Sequence, residues 1–196
     1  MKSPNVLEPL RSDVPEYGGE LDICTCILNG KNIRDYQAML DVFSCGNDEI
    51  DEFFRIKAAD SFNETTRIFV DIERGRIAGA AALACSGIPL MQNRQYLMNI
   101  PAIEITYFAV DNRYQHLPMS ANRADGYFSD YILGSVISEI YDFTEEHSGA
   151  SHILLYSTPT ALRFYERNRF EKMENELYMV RNSLYFDGCT PMILPL

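Results

Sequence analysis

The order of apolar patterning along the chain predicts an α/β fold, a mixed central sheet with helices on both faces. Three observations carry that expectation. Residues Pro101 to Val110 (PAIEITYFAV) are rich in β-branched and aromatic side chains, as a central strand is. Ser129 to Glu146 (SDYILGSVISEIYDFTEE) place Ile132, Leu133, Val136, Ile137, Ile140 and Phe143 on one helical face, and His152 to Ser157 (HILLYS) are a short, nearly continuous apolar run. Strand, helix and strand in that order build a layered sheet with a crossover helix.

The remaining elements follow in order. Residues 1 to 20 carry Pro4, Pro9, Pro15 and the pair Gly18 and Gly19, which predicts an extended N-terminal arm. Leu21 to Leu28 (LDICTCIL) alternates as a first strand. Ile33 to Phe43 and Asn47 to Asp60 space their apolar residues at three and four, predicting two helices, the second capped by Asn47 or Asp48. Arg67 to Ile72 and Arg76 to Cys85 form a hairpin around Gly75, and Ser86 to Asn99 is a polar connection without a clear period. After the central strand, Asn112 to Phe128 is irregular, with Pro118, Asn122 and Gly126 favouring turns. A short helix over Ala161 to Phe170 (ALRFYERNRF) and a terminal strand pair, Glu174 to Val180 and Leu184 to Asp187, complete the chain. The summed pattern is βααββ followed by βαβαββ.

At 196 residues the chain is long enough for one well-cored domain, here expected over residues 21 to 196. No apolar run reaches the roughly 18 residues of a membrane span, and the N-terminus lacks the apolar core of a secretory signal, so the expected location is the cytoplasm. The five cysteines (Cys24, Cys26, Cys45, Cys85, Cys189) are odd in number and scattered, which argues against a disulfide framework and against zinc. His116, His147 and His152 show no metal-ligand or Ser/His/Asp spacing, so no metal is expected. A formal charge of −11 disfavours nucleic acid as the main partner, because phosphate contacts need a dense Lys/Arg surface. It suits a small cationic substrate better.

The element order, with IEITYFAVDNRYQ in the central strand and ALRFYERNRF near the end, resembles the GNAT superfamily of acetyl-CoA-dependent N-acetyltransferases over about Cys24 to Asp187. FSCGNDEIDEFFRIKA (Phe43 to Ala58) is similar to the F-x-C-G opening of a GNAT branch that includes acetyltransferase toxins; its physical content is a turn at Gly46 feeding an amphipathic helix. The resemblance implies that the central strand splays from its neighbour and that backbone groups of Phe108, Ala109 and Val110 pair with the pantetheine arm of acetyl-CoA. It also implies that Tyr131, Ile132, Leu133, Gly134 and Ser135, in the SDYILG turn and just after it, hold the cofactor pyrophosphate through backbone N–H groups at a helix start. That turn departs from the family pattern: Ser129 replaces a Gln or Arg and Ile132 replaces the first glycine. Gln115 is then a displaced remnant of the amide position, with His116 to Phe128 inserted after it. A second departure is Arg169, where the family has a glycine suited to a left-handed cap that Asn168 can partly replace.

Acetyl transfer to an amine needs an uncharged nucleophile, stabilisation of the tetrahedral oxyanion and a proton for the departing thiolate. Glu104, on the same strand face as Phe108, is the candidate base through water; the alternative is a strand carboxylate satisfied by a structural Arg or by solvent. Tyr165, intact within ALRFYERNRF, is the candidate acid, and the N–H of Phe108 or Val110 the oxyanion donor. Cys45 has no evident base and is not expected to be a nucleophile. The insert is expected to fold over the cofactor or acceptor cleft, with Arg113 and Arg123 offering charge to a phosphate, or to pack on a second subunit in a homodimer.

The expected function is acetyl-CoA-dependent N-acetylation of a primary amine on a small molecule or peptide. Two rivals stand beside it: a non-catalytic GNAT-like acyl-CoA-binding or interaction module, and a toxin-like enzyme acting on aminoacyl-tRNA.

Overall fold

The structure, a computed structural model, describes residues 5–6, 10–12, 19–92, 95–119, 126–173 and 188–196. The chain groups into two compact units, residues 1–82 with 107–136, and residues 83–106 with 137–196.

In the first unit the hydrogen-bonded strand order is β1 (Asn5–Val6), β4 (Ile23–Leu28), β5 (Thr65–Asp71), β6 (Arg76–Gln92) and β7 (Gln95–Val110), the last two continuing into the second unit. β1 pairs antiparallel with β4, Asn5 opposite Thr25, so the N-terminal arm contributes a strand to the sheet. A separate hairpin joins β2 (Leu10–Ser12) to β3 (Gly19–Leu21). β4 and β5 are in register from Ile23↔Asp71 to Leu28↔Thr66, which puts Cys24, Leu28, Ile68 and Val70 into one apolar cluster. This is the period-2 alternation expected of a half-buried strand pair.

Helix α1 (Ile33–Asp41) lies within the expected span. The second expected helix is two structures: α2 (Asp48–Glu52), followed by one π-helical turn over Phe53–Lys57. Asn47 is the N-cap, its Oδ1 accepting the N–H groups of Glu49 (3.1 Å) and Ile50 (3.3 Å). Phe53 and Phe54 are adjacent in sequence and both buried, and the wide turn begins at that pair. Phe53 stacks on Tyr107 of β7 at 3.9 Å and 17°, while Phe54 meets Phe43 edge-on.

In the second unit the order is β6, β7, β8 (His152–Ser157), β10 (Thr190–Pro195) and β9 (Glu171–Lys172). β8 runs parallel to β7 from Ala102↔His152 to Ile105↔Leu155. That ladder ends at Ile105, yet β7 continues to Val110 and β8 to Ser157. β10 covers all of β8 antiparallel. Helix α4 (Leu162–Arg167) follows β8. Helix α3 (Phe128–His147) contributes its first half to the first unit and its second half to the second. Ile132, Leu133, Val136 and Ile140 are buried on it, whereas Phe143 is 44% exposed and does not extend that face as expected.

The expected polar connection over Ser86 to Asn99 is a correction: β6 extends to Gln92 and β7 starts at Gln95. Ladder pairing between neighbouring strands supplies what side-chain periodicity does not, and Tyr96, Leu97 and Met98 are exposed in succession there, so no buried face marks the strand. The expected terminal pair, Glu174 to Val180 and Leu184 to Asp187, lies outside the described residues, and β10 was not expected.

Candidate active site

The carboxyl end of β7 is fixed by the segment carrying the F-x-C-G pattern. Phe43 is buried in the first unit's core. Ser44 accepts the N–H of Asn112 at 2.8 Å, just beyond β7. Asp51, itself buried, turns back from α2 to accept the Cys45 N–H and the Ser44 hydroxyl, each at 2.8 Å. Gly46 has φ 86°, and a Cβ there would sit 3.3 Å from the Asn112 amide, so both conformation and space favour glycine. The Cys45 thiol is pushed up to about 12 by burial and by Asp51, which leaves it protonated and unreactive, as expected of a residue without a base.

Backbone direction separates the three β7 residues expected to meet a cofactor. The Asp111 N–H donates to Ala78 O on β6 at 3.0 Å. Since backbone groups alternate sides along a strand, the groups of Ala109 point toward β6, and those of Phe108 and Val110 point to the other edge. Phe108 and Val110 therefore have the orientation a ligand at that edge requires, and Ala109 does not. The Val110 carbonyl accepts from Gln115 Nε2 at 2.9 Å, which leaves the N–H of that residue as its donor on the edge.

Two residues expected to reach a phosphate are committed elsewhere. Gln115 donates to the carbonyls of Val110 and Cys45, so it is not a displaced phosphate ligand. Arg113 is clamped bidentate on Asp111, Nε to Oδ1 and NH2 to Oδ2, both at 2.6 Å. A buried carboxylate beside a guanidinium makes a strong charge-assisted pair. Arg123 lies outside the described residues. The insert has an ordered base: Tyr114 is buried and donates to the buried Asp71 at 2.8 Å, Pro118 bridges Tyr127, and the Phe128 N–H donates to Leu117 O. These contacts tie both ends of the insert into the first unit.

Tyr131 closes the first turn of α3, and Ile132 to Ser135 lie beyond it. The N–H groups of Phe128, Asp130 and Tyr131 are taken by Leu117 O, Tyr127 O and Tyr127 O. Ile132 is wholly buried: its Cγ2 would lie 3.1 Å from a Cβ placed at Gly79 of β6, so the isoleucine at the position of the family glycine fills the space above another glycine. Leu133 is likewise buried, while Ser135 is partly exposed and bonds back to Tyr131 O. Gly134 is exposed, and a Cβ there would meet nothing within 4 Å, so close packing does not explain this glycine.

In the second unit, Glu104 faces Leu154 across the β7–β8 ladder and is half-buried. Ser86 of β6 donates to its Oε2 at 2.8 Å. Among the described residues no cation pairs with it, so the structural arginine weighed as an alternative is absent there. Tyr165, on α4, is 8% exposed and lies between Phe164 (5.1 Å) and Phe170 (5.7 Å), both edge-on. Burial pushes its phenol pKa above the ordinary range, which keeps the hydroxyl protonated. The cap after α4 differs from the expectation: Arg169, not Asn168, adopts the left-handed conformation, φ 70°. Asn168 stays at φ −91° and donates Nδ2 to Phe164 O at 2.8 Å.

Among the described residues no group of three or more His, Cys, Asp or Glu gathers to hold a metal. Sequence reasoning did not find the roles of Gln115, Asp51 and Asp111. All three are ordinary polar residues, and what joins them is long-range: Gln115 reaches the Cys45 carbonyl and Asp111 the Ser44 N–H across some 70 residues, with only the glycine after Cys45 signalling the turn where they meet.

No protein-family model matches the chain, and no curated protein sequence matches it. Its fold is matched by solved structures. A bacterial toxin superposes with a TM-score of 0.66 at 19% identity, over 88% of this chain and 90% of that one. AtaTR bound with acetyl-CoA gives 0.61 at 17% identity, over 88% and 92%. AtaT complexed with acetyl-methionyl-tRNA gives 0.62 at 15% identity, over 89% and 95%. The fold shared with these toxin proteins is the GNAT-like mixed α/β fold expected from the sequence.

Proposed function

We propose that this chain is an acetyl-CoA-dependent N-acetyltransferase acting on a primary amine. The observation that carries the reading is the end of β7. Its ladder with β8 stops at Ile105, the strand runs on to Val110, and Phe108 and Val110 direct their backbone groups away from β6. A pantetheine arm is a chain of amides that can use such an edge. The fold likeness to AtaTR bound with acetyl-CoA supports the same ligand.

In this reading acetyl-CoA supplies the activated acetyl group, and residues of this chain bind it and move protons. The N–H of Phe108 and Val110 bind the cofactor and stabilise the oxyanion. Tyr165, kept protonated by burial, gives a proton to the departing thiolate. Glu104, without a cation partner among the described residues, takes the proton of the attacking amine through water. Of the α3 residues, Gly134 is where a ligand could approach the helix closely, with Tyr131 and Ser135 flanking it. Ile132 and Leu133 act by holding α3 on the sheet. No metal enters the scheme.

The acceptor has a second reading. Arg163, Arg167 and Arg169 are exposed on α4 and just after it with Tyr165 among them, alongside the exposed Glu166 and Glu171, and Lys172 is paired with Glu166 at 2.9 Å, so the segment has a cationic excess in a chain of net charge −11. Together with the likeness to AtaT complexed with acetyl-methionyl-tRNA, this favours an aminoacyl-tRNA amine over a small-molecule amine.

One experiment tests both. Acetyl-CoA should raise the melting temperature in a concentration-dependent way, by about 2.7 kcal/mol of stabilisation at a hundredfold excess over Kd. Thiol release should then appear with one class of acceptor, small amines or aminoacyl-tRNA, and fall in the Glu104→Gln variant. A melting temperature indifferent to acetyl-CoA rules out the acetyltransferase reading and leaves a GNAT-like interaction module.

A further inference from the structure

The side-chain amide of Gln115 joins two carbonyls from distant segments: Nε2 donates to Val110 O at 2.9 Å and to Cys45 O at 2.8 Å. The first carbonyl belongs to the last residue of β7, the second to the residue that enters the Gly46 turn. The same two segments are joined again by the Asn112 N–H on Ser44 O, and the turn itself is held by Asp51 on the Cys45 N–H. The last peptide of β7 is thus held from both sides, its Asp111 N–H on Ala78 O of β6 and its Val110 carbonyl on Gln115, which ties it to a turn that is itself bonded to Asp51. The primary amide bridges two carbonyls because both hydrogens come from one nitrogen, and it does so without bringing a charge. Glutamate and methionine have the same reach and no such donor.

The consequence falls on the edge of β7 that points away from β6. With its carbonyl taken by Gln115, Val110 presents a donor on that edge and no competing acceptor. A developing oxyanion or a pantetheine carbonyl would be repelled by an open carbonyl at that position. We propose that Gln115 is a positioning residue, which holds the last peptide of β7 in the orientation that receives the cofactor and ties that orientation to the F-x-C-G turn. The inference rests on the acetyl-CoA reading above.

Calorimetric titration of the full chain with acetyl-CoA, alongside steady-state kinetics and the melting temperature without ligand, tests it. Gln115→Met removes both donors at similar size and should raise Kd for acetyl-CoA about tenfold, because the released peptide must then be ordered at the moment of binding. The Michaelis constant for acetyl-CoA should rise by more than kcat falls. Gln115→Asn keeps the amide but is one methylene shorter, reaches one carbonyl at most, and should fall between Gln115→Met and the wild type. A lowered melting temperature with Kd unchanged in both variants would overturn the proposal, making Gln115 a brace of the fold alone. Should Gln115→Met fail to fold, a wild-type Kd in Gln115→Asn overturns it equally. A wild-type chain that gives no heat with acetyl-CoA sinks the acetyl-CoA reading, and this inference with it. The two failures are therefore distinct.

Discussion

Arg169 occupies the left-handed region at φ 70°, where a Cβ crowds the following carbonyl and glycine does not. Arg169→Gly should therefore stabilise the protein by about 1 kcal/mol, read as a raised denaturation midpoint in urea. A lowered midpoint would mean that the arginine side chain contributes more than the backbone strain costs. At Tyr165, replacement by phenylalanine keeps the ring against Phe164 and Phe170 and removes only the hydroxyl. If that hydroxyl is the acid, kcat should fall on the order of a hundredfold with folding intact, measured by thiol release at saturating substrates. The same variant has an alkaline signature. Burial raises the phenol pKa in the folded state, so above the unfolded value near about 10 the unfolded chain loses the proton first and stability declines with rising pH. Below that value the contribution is intact. Tyr165→Phe should flatten the loss of melting temperature between about pH 10 and pH 11; an identical slope would show that folding leaves the phenol's proton affinity unchanged.

At the scale of elements, α3 is the clearest case of sequence pattern and structure agreeing for one residue and parting for its neighbour. Ile132 is apolar at the helical period and packs above Gly79; Gly134, two positions on, is exposed with open space around its Cα. An exposed glycine in a helix interior costs about 1 kcal/mol relative to alanine. Gly134→Ala should raise stability by about that amount, seen in the thermal midpoint without ligand. In the proposed function it should also weaken acetyl-CoA, seen as a smaller ligand-induced shift. A gain in stability with an unchanged shift would remove Gly134 from the cofactor site. The α2 segment gives the complementary case: Asn47 as N-cap was legible because capping chemistry is local, while the π-helical turn that follows was not. Adjacent phenylalanines are compatible with an ordinary helix too, and what separates the two outcomes is Tyr107 stacked on Phe53 and Phe43 set against Phe54.

For the whole molecule, β6, β7 and α3 each run unbroken from one compact unit into the other. Melting one unit would have to break the same strands and helix that the other uses, so we expect a single cooperative transition. Far-ultraviolet circular dichroism and tyrosine fluorescence should give coincident denaturation curves. Tyrosines sit in both units and the chain has no tryptophan, so two separated midpoints would be visible and would show that the units unfold independently. In the proposed function, acetyl-CoA binds the folded form and should move both probes together.

Elements whose signal is local are readable from the chain alone. The strand HILLYS is found at His152–Ser157 as read, the helix SDYILGSVISEIYDFTEE differs by one residue at each end, and the GNAT-like order of strands and helices followed from them. Periodicity and capping depend on neighbours within a few positions, so one chain is enough to read them. The tertiary structure alone decided which residues the end of β7 uses. Gln115 was read as a remnant of the family's amide position and Arg113 as a charge for a phosphate, but one is bonded to Val110 and Cys45 and the other to Asp111. It also decided that Ser86 to Asn99 is strand and that Arg169, not Asn168, takes the left-handed turn. The Gln115–Cys45 bond and the pairing of Ser86 to Asn99 depend on partners brought near by folding. A polar side chain or a strand edge is compatible with several partners until packing removes all but one.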